Sequence, residues 1–194
     1  MSCKNPGFPL STHYISKVHR LIVGSYLIAV FLDLFKKHQH DGRIVLPLLR
    51  TLDMLMNRRC LGDLVNERSF RASLLERLWK ESNSCKDIKC LVAIVSVSTG
   101  LISYAKTNKE ALALVCNFLD HKFPCIRSLA AEKLYVHLLE TDLELKKEHA
   151  AIRILLKNNW EMDPSGTEKV NRDEQIREIM KVFEIKNDVL VFQS

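Results

Sequence analysis

Residues 120–140, DHKFPCIRSLAAEKLYVHLLE, decide how the rest of the chain is read. The stretch opens as a turn, sets Pro124 where a helix would begin, and then continues without a breaker. At about 100° per residue, Ile126, Ala130, Leu134 and Leu138 fall in one apolar stripe, with Ala131 beside them. Leu129, Val136 and Leu139 form a second apolar face roughly opposite. A helix that buries two faces is expected between neighbours in a stack. Pro124 costs little in the first turn, because the N–H it lacks would have no helical partner there. Arg127 falls within the first stripe, where a buried charge requires a partner. Asp120 is the candidate, and the two read as a structural ladder between packed helices.

Composition carries the all-helical reading to the whole chain. The 194 residues suffice for a core of real size, and 47% hydrophobic with 27% charged residues excludes a disordered chain. Only 6 Gly and 5 Pro occur, fewer turn residues than a β-rich fold needs. The formal charge of +6 admits nucleic acid, acidic lipid or an acidic protein as partner. The basic residues are scattered, however, and acidic residues interrupt nearly every cluster. No RNA-binding signature accompanies them, so nucleic acid is not the expected partner, and a basic helical module for an acidic partner remains the alternative reading.

The six cysteines form no C-x-x-C pair and have no histidines at zinc spacing. Cys116 and Cys125 lie in apolar helical contexts, where free cysteine acts as a small hydrophobe. Reduced thiols and a cytosolic location are the expectation. Leu21–Leu32 is a charge-free run after Lys17 and Arg20, which also fits a signal-peptide core. No small-residue cleavage site follows it, and it is shorter than the roughly 20 residues of a membrane span. Val18, Leu21, Ile22, Ala29, Leu32 and Phe35 recur at helical spacing, which makes it a buried helix.

Taken in order, residues 1–11 read as a loose segment, and a helix follows from Ser11 or Thr12 to about Lys37, ending in the polar turn His38–Gly42. The next helix spans about Arg43–Met56, or starts at Leu46 if Pro47 opens it, with Ile44, Leu48, Leu52 and Leu55 inward. A third covers Ser69–Glu81 on Phe70, Leu74, Leu75 and Leu78, with Ser82–Ser84 breaking it. Asp87–Tyr104 is β-branched enough at Leu91–Val97 for a buried strand by composition. Ile88, Leu91, Val92 and Val95 nevertheless keep helical spacing, and no partner strand exists elsewhere, so helix is preferred. Lys109–Asp120 is a short helix with Leu112, Val115, Cys116 and Leu119 inward. After residues 120–140, Thr141 and Glu144 have capping-box spacing and start a helix to about Asn158. Asp163–Gly166 breaks the chain, and a last helix spans about Glu168–Ile185 on Ile176, Ile179, Met180 and Phe183. The expected fold class is all-α: about eight helices in antiparallel pairs, stacked as in HEAT and armadillo arrays, in one domain at 12–186 with a tail at 187–194.

Chemistry is not visible at this level. Phosphate-binding glycine loops, H-E-x-x-H, G-x-S-x-G and kinase signatures are all absent. His38 and His40 lack further ligands and read as a solvated turn. His137 lies on the apolar side of its helix and reads as a core histidine bonded to backbone. No catalytic, cofactor-binding or metal-binding residue is nominated, and no cofactor is expected. Asp120, Pro124, Ile126, Arg127, Ala130, Leu134 and Leu138 are singled out as structural.

Three blocks carry a resemblance: RIVLPLLRTLDMLMNRRCL (Arg43–Leu61), NSCKDIKCLVAIVSV (Asn83–Val97) and ALALVCNFLDHKFPCIRSLAAEKLYVHLLE (Ala111–Glu140). The segment NNWEMD at Asn158–Asp163 is a weaker echo. Together they resemble the C-terminal domain of the tubulin-folding cofactor D family, over about Leu27 to Ile185. Members of that family are several times longer, so the resemblance implies a chain corresponding to their C-terminal portion. It further implies a cytoplasmic, cytoskeleton-associated scaffold without a catalytic site of its own, which grips β-tubulin during α/β heterodimer assembly. The implied partners are β-tubulin, other tubulin-folding cofactors and an Arf-like small GTPase. With those cofactors the family promotes GTP hydrolysis by tubulin.

Overall fold

A computed structural model of the chain describes residues 12–61, 68–104, 109–140, 145–162 and 167–185. Among them are eight α-helices and no strand: α1 (Thr12–Lys37), α2 (Gly42–Asn57), α3 (Arg68–Ser84), α4 (Ile88–Tyr104), α5 (Lys109–Phe118), α6 (Pro124–Glu140), α7 (Leu145–Lys157) and α8 (Thr167–Val182). The fold is all-α, with packed helix pairs in a HEAT/armadillo-like stack. The segments 1–11, 141–144, 163–166 and 187–194, including the capping box and the Asp163–Gly166 break, lie outside the described residues.

α4 holds the stack together. It is the β-branched stretch that composition alone would also allow as a strand, and it is helical throughout. Leu91, Ile94, Val95, Val97 and Leu101 are each fully buried, on several sides of the helix. A helix apolar on nearly every side must be surrounded, and α4 packs against α2, α3, α5 and α6. Its hydroxyls remain satisfied inside this core: Ser98 Oγ donates to the Ile94 carbonyl at 2.8 Å and Thr99 Oγ1 to the Val95 carbonyl at 2.9 Å. Gly100 leaves room for the Met56 side chain of α2, since a β-carbon there would stand 2.9 Å from Met56 Cε.

α2 differs from the expectation in its start and its face. It begins at Gly42, capped by Asp41, whose Oδ1 accepts from the Arg43 N–H at 3.1 Å. Pro47 is exposed inside the helix. The buried stripe is Val45, Leu49, Leu52 and Met56, about one residue round from the stripe expected; Leu48 and Leu55 sit at its flank, half-buried. α2 is apolar over a wide arc, and contact with both α1 and α4 decides which part lies deepest. Its C-terminus closes in a Schellman arrangement: the Cys60 N–H bonds the Leu55 carbonyl and the Arg59 N–H bonds the Met56 carbonyl. Arg59 takes the left-handed position at φ 53°, where glycine is usual. α8 ends the same way with Glu184 at φ 54°, which turns Ile185 into the core.

α3 buries Phe70, Leu74, Leu75 and Leu78 as expected. It does not break at Ser82 but continues to Ser84. Ser82 Oγ donates to the Trp79 carbonyl, and Ser84 Oγ approaches the carbonyls of Lys80 and Glu81. These side chains bond back to carbonyls of the helix's own last turns, so the serines are held within the helix rather than ending it. α1 is only half-buried along its described side chains. Ile28 and Phe35 are buried, Phe31 and Leu32 pack against the core, and Tyr26 is 73% exposed. The expected buried helix is therefore a helix lying along α2 and α3 with one side in solvent. No described helix is long and apolar enough to cross a membrane.

Candidate functional site

α6 begins at Pro124 and ends at Glu140, as its sequence predicts. Ile126, Ala130, Ala131, Leu134 and Leu138 are buried against neighbours that include α4, α5 and α7. The second apolar face is a different matter. Leu129 is half-buried, but Val136 is 43% and Leu139 59% exposed, so α6 is covered on one side rather than two. Leu156 on α7, a helix packed beside α6, is 65% exposed. Single exposed apolar residues are ordinary. Val136 and Leu139, three residues apart on the outer face of one helix, form a candidate interaction surface.

Arg127 is 2% exposed, and five carbonyl oxygens surround its guanidinium. Nε donates to Trp160 at 2.9 Å; Nη1 donates to His121 at 2.9 Å and Lys122 at 3.3 Å; Nη2 donates to Met162 at 2.8 Å and Glu161 at 3.4 Å. Asp120, the partner expected from sequence, is exposed at the surface, and these carbonyls take its place. The rigid fork of arginine suits the arrangement, because it presents donors on two edges at once. One edge holds the turn that leads into α6, and the other holds the segment after α7. Arg127 thus does join successive helix pairs, through backbone acceptors.

A second arginine completes this clamp, and sequence reading did not single it out. Arg172 of α8 is 8% exposed, donates from Nη2 to the carbonyls of Met162 (2.8 Å) and Asn159 (3.3 Å), and lies over the Trp160 ring at 5.9 Å. Trp160 is itself buried, with Nε1 donating to the Leu155 carbonyl at 2.9 Å, so it closes the C-terminus of α7. The sequence signal was the tryptophan in a polar NNWEMD segment, because a tryptophan there must find both an apolar pocket and an acceptor. Chemically the site is a brace: it fixes α6, α7 and α8 and offers no nucleophile.

Two histidines lie near this brace or on the same helix. His121 Nδ1 accepts the Phe123 N–H at 3.1 Å, and its ring stacks obliquely on Phe123 at 5.3 Å. Burial, then the Lys122 and Arg127 charges, hold its pKa below the ordinary value near 6.5. His137, 7% exposed on α6, is also held low by burial, with Glu140 opposing. Both are therefore neutral in the folded chain and take up protons on unfolding at mildly acidic pH. Their contribution to stability is complete above about pH 6.5 and is lost as pH falls below that value toward the folded-state pKa values. Urea midpoints are expected to fall between pH 7.5 and 5.5, with the decline reduced in His137→Gln. A midpoint independent of pH would refute this.

The geometry defines an all-α, HEAT/armadillo-like stack whose buried polar groups brace helices against one another. Residues 19–89 match the family described as tubulin folding cofactor D C terminal, a chaperone-type family. Over that segment the chain is similar to this family, in agreement with the resemblance read from its sequence. The block Arg43–Leu61 lies inside the match and Ala111–Glu140 outside it. No solved structure matches the chain.

Proposed function

We propose that the chain is a tubulin-folding scaffold that holds β-tubulin during assembly of the α/β heterodimer in the cytoplasm, in association with the cytoskeleton. It works with other tubulin-folding cofactors and an Arf-like small GTPase, and contributes to GTP hydrolysis by tubulin without a catalytic group of its own. The observation that carries this reading is the family match over residues 19–89. Stacked helix pairs support it, because such arrays offer extended surfaces for a partner. The net charge of +6 suits an acidic partner such as tubulin through steering and complementarity.

The contact surface proposed is the outer side of α6 with α7, where Val136, Leu139 and Leu156 are exposed. Immobilised chain is expected to retain purified β-tubulin at low salt. Leu139→Asp should weaken retention at least about tenfold, in keeping with loss of an apolar contact. Its melting temperature should stay unchanged, since the residue is 59% exposed. Retention that is equal in Leu139→Asp would place the contact on another face. No retention of β-tubulin by a correctly folded chain would refute the reading.

A further inference from the structure

The end of α3, the start of α4 and the turn after α1 bring together groups that the brace does not use. Glu81 and Cys85 lie one helical turn apart, and Cys90 stands in the first turn of α4. A carboxylate oxygen of Glu81 and the two sulfurs lie within 4.8 Å of one another. Glu81 is 2% exposed and Cys90 fully buried, whereas Cys85 is half-buried and open to an ion arriving from solvent. The connection between the helices is itself well fixed. Cys85 Sγ donates to the Asp87 carbonyl at 3.5 Å, and Asp87 Oδ1 caps α4 by accepting from the Lys89 N–H at 2.9 Å.

From this geometry we infer a divalent-metal site for zinc, with Glu81, Cys85 and Cys90 as ligands and His40 orienting the carboxylate. Ligands about 2.0–2.3 Å from a tetrahedral zinc ion stand roughly 3.3–3.8 Å from one another, so groups within 4.8 Å need close by at most about 1–1.5 Å. Two thiolates with one carboxylate suit zinc among the common ions, because calcium and magnesium take oxygen ligands. The outer layer is already in place. His40 donates its backbone N–H to Glu81 Oε2 at 3.0 Å, and its Nδ1 lies 3.3 Å from the same oxygen and 2.6 Å from Ser84 Oγ. Oε2 is thereby held from behind, which leaves Oε1 for the ion, as is usual for ligating carboxylates. His40 reaches this position with φ at 70°, uncommon for a residue other than glycine. A solvent molecule completes the fourth position.

The full chain, purified under a phosphine reductant and stripped of metal, is to be titrated with Zn2+ and separately with Co2+. One ion per chain is expected, with thiolate-to-cobalt charge-transfer absorption in the near ultraviolet and a rise in Tm with Zn2+. Cys85→Ser should abolish the absorption and the Tm rise, whereas Cys60→Ser, which alters an exposed cysteine outside the site, should change neither. His40→Ala should weaken Zn2+ binding about 10- to 100-fold, the usual effect of an outer-layer residue. If Cys85→Ser does not fold by circular dichroism, Glu81→Gln serves in its place. Binding well below one ion per chain, cobalt absorption that persists in the site variant, or a Cys85–Cys90 disulfide that excludes metal overturns the inference.

Discussion

Arg127→Ala is expected to lower stability by about 3–5 kcal/mol, a loss of roughly 10 °C in Tm for a chain of this size. The substitution removes the donors for five carbonyls, and orphaned buried acceptors cost about 1–3 kcal/mol each. The upper bound stays modest because Met162 retains Arg172 as a donor and because water can enter near the exposed Met162 side chain. Arg127→Lys should recover less than half of the loss, since an ammonium cannot reach both edges of the cleft. The double variant Arg127→Ala, Arg172→Ala should fall short of the sum of the single effects, because the two side chains share an acceptor. Denaturant unfolding with an unchanged slope measures each value. A loss under about 1 kcal/mol for Arg127→Ala would show that the brace is not required.

Ile94→Ala is expected to cost about 3 kcal/mol, within the usual range for emptying a buried aliphatic site, whereas Val92→Ala should change stability by less than about 0.5 kcal/mol. The contrast tests the architecture as well as the residue. In a strand, positions 92 and 94 would share a face and respond alike. In α4 they stand about 200° apart, which leaves Ile94 fully buried and Val92 38% exposed. Similar losses at both positions would contradict the helix and its surroundings.

Much of the fold was legible because its signals are local. Pro124, the apolar stripe of α6 and the few glycines fix helices by spacing alone, and the same is true of α3 and α5. The failures concern what lies across space. Which arc of α2 lies deepest depends on two neighbours at once, and the serines that seemed to end α3 extend it by bonding back to its own carbonyls. The second face of α6 had the composition of a buried surface, yet nothing in its spacing told whether a neighbour would cover it. Arg127 announced itself as a charge in an apolar stripe. Three of its five acceptors lie 33 to 35 residues on, in irregular backbone, and carry no side-chain signature. Glu81, Cys85 and Cys90 escaped notice for a related reason: the third ligand belongs to the next helix, and His40 arrives from 41 residues away.

The central place of α4 bears on where this domain can be divided. The family match ends at residue 89, two residues into α4, while the inward side chains of α2 rest chiefly on that helix. A fragment cut at the match boundary would present Val45, Leu49, Leu52 and Met56 to water, and its counterpart would carry α4 with no cover for the same surface. Residue 89 therefore marks where the family match ends and not a seam in the packing. The packing of α2 on α4 crosses that position, so neither side has a finished interior without the other.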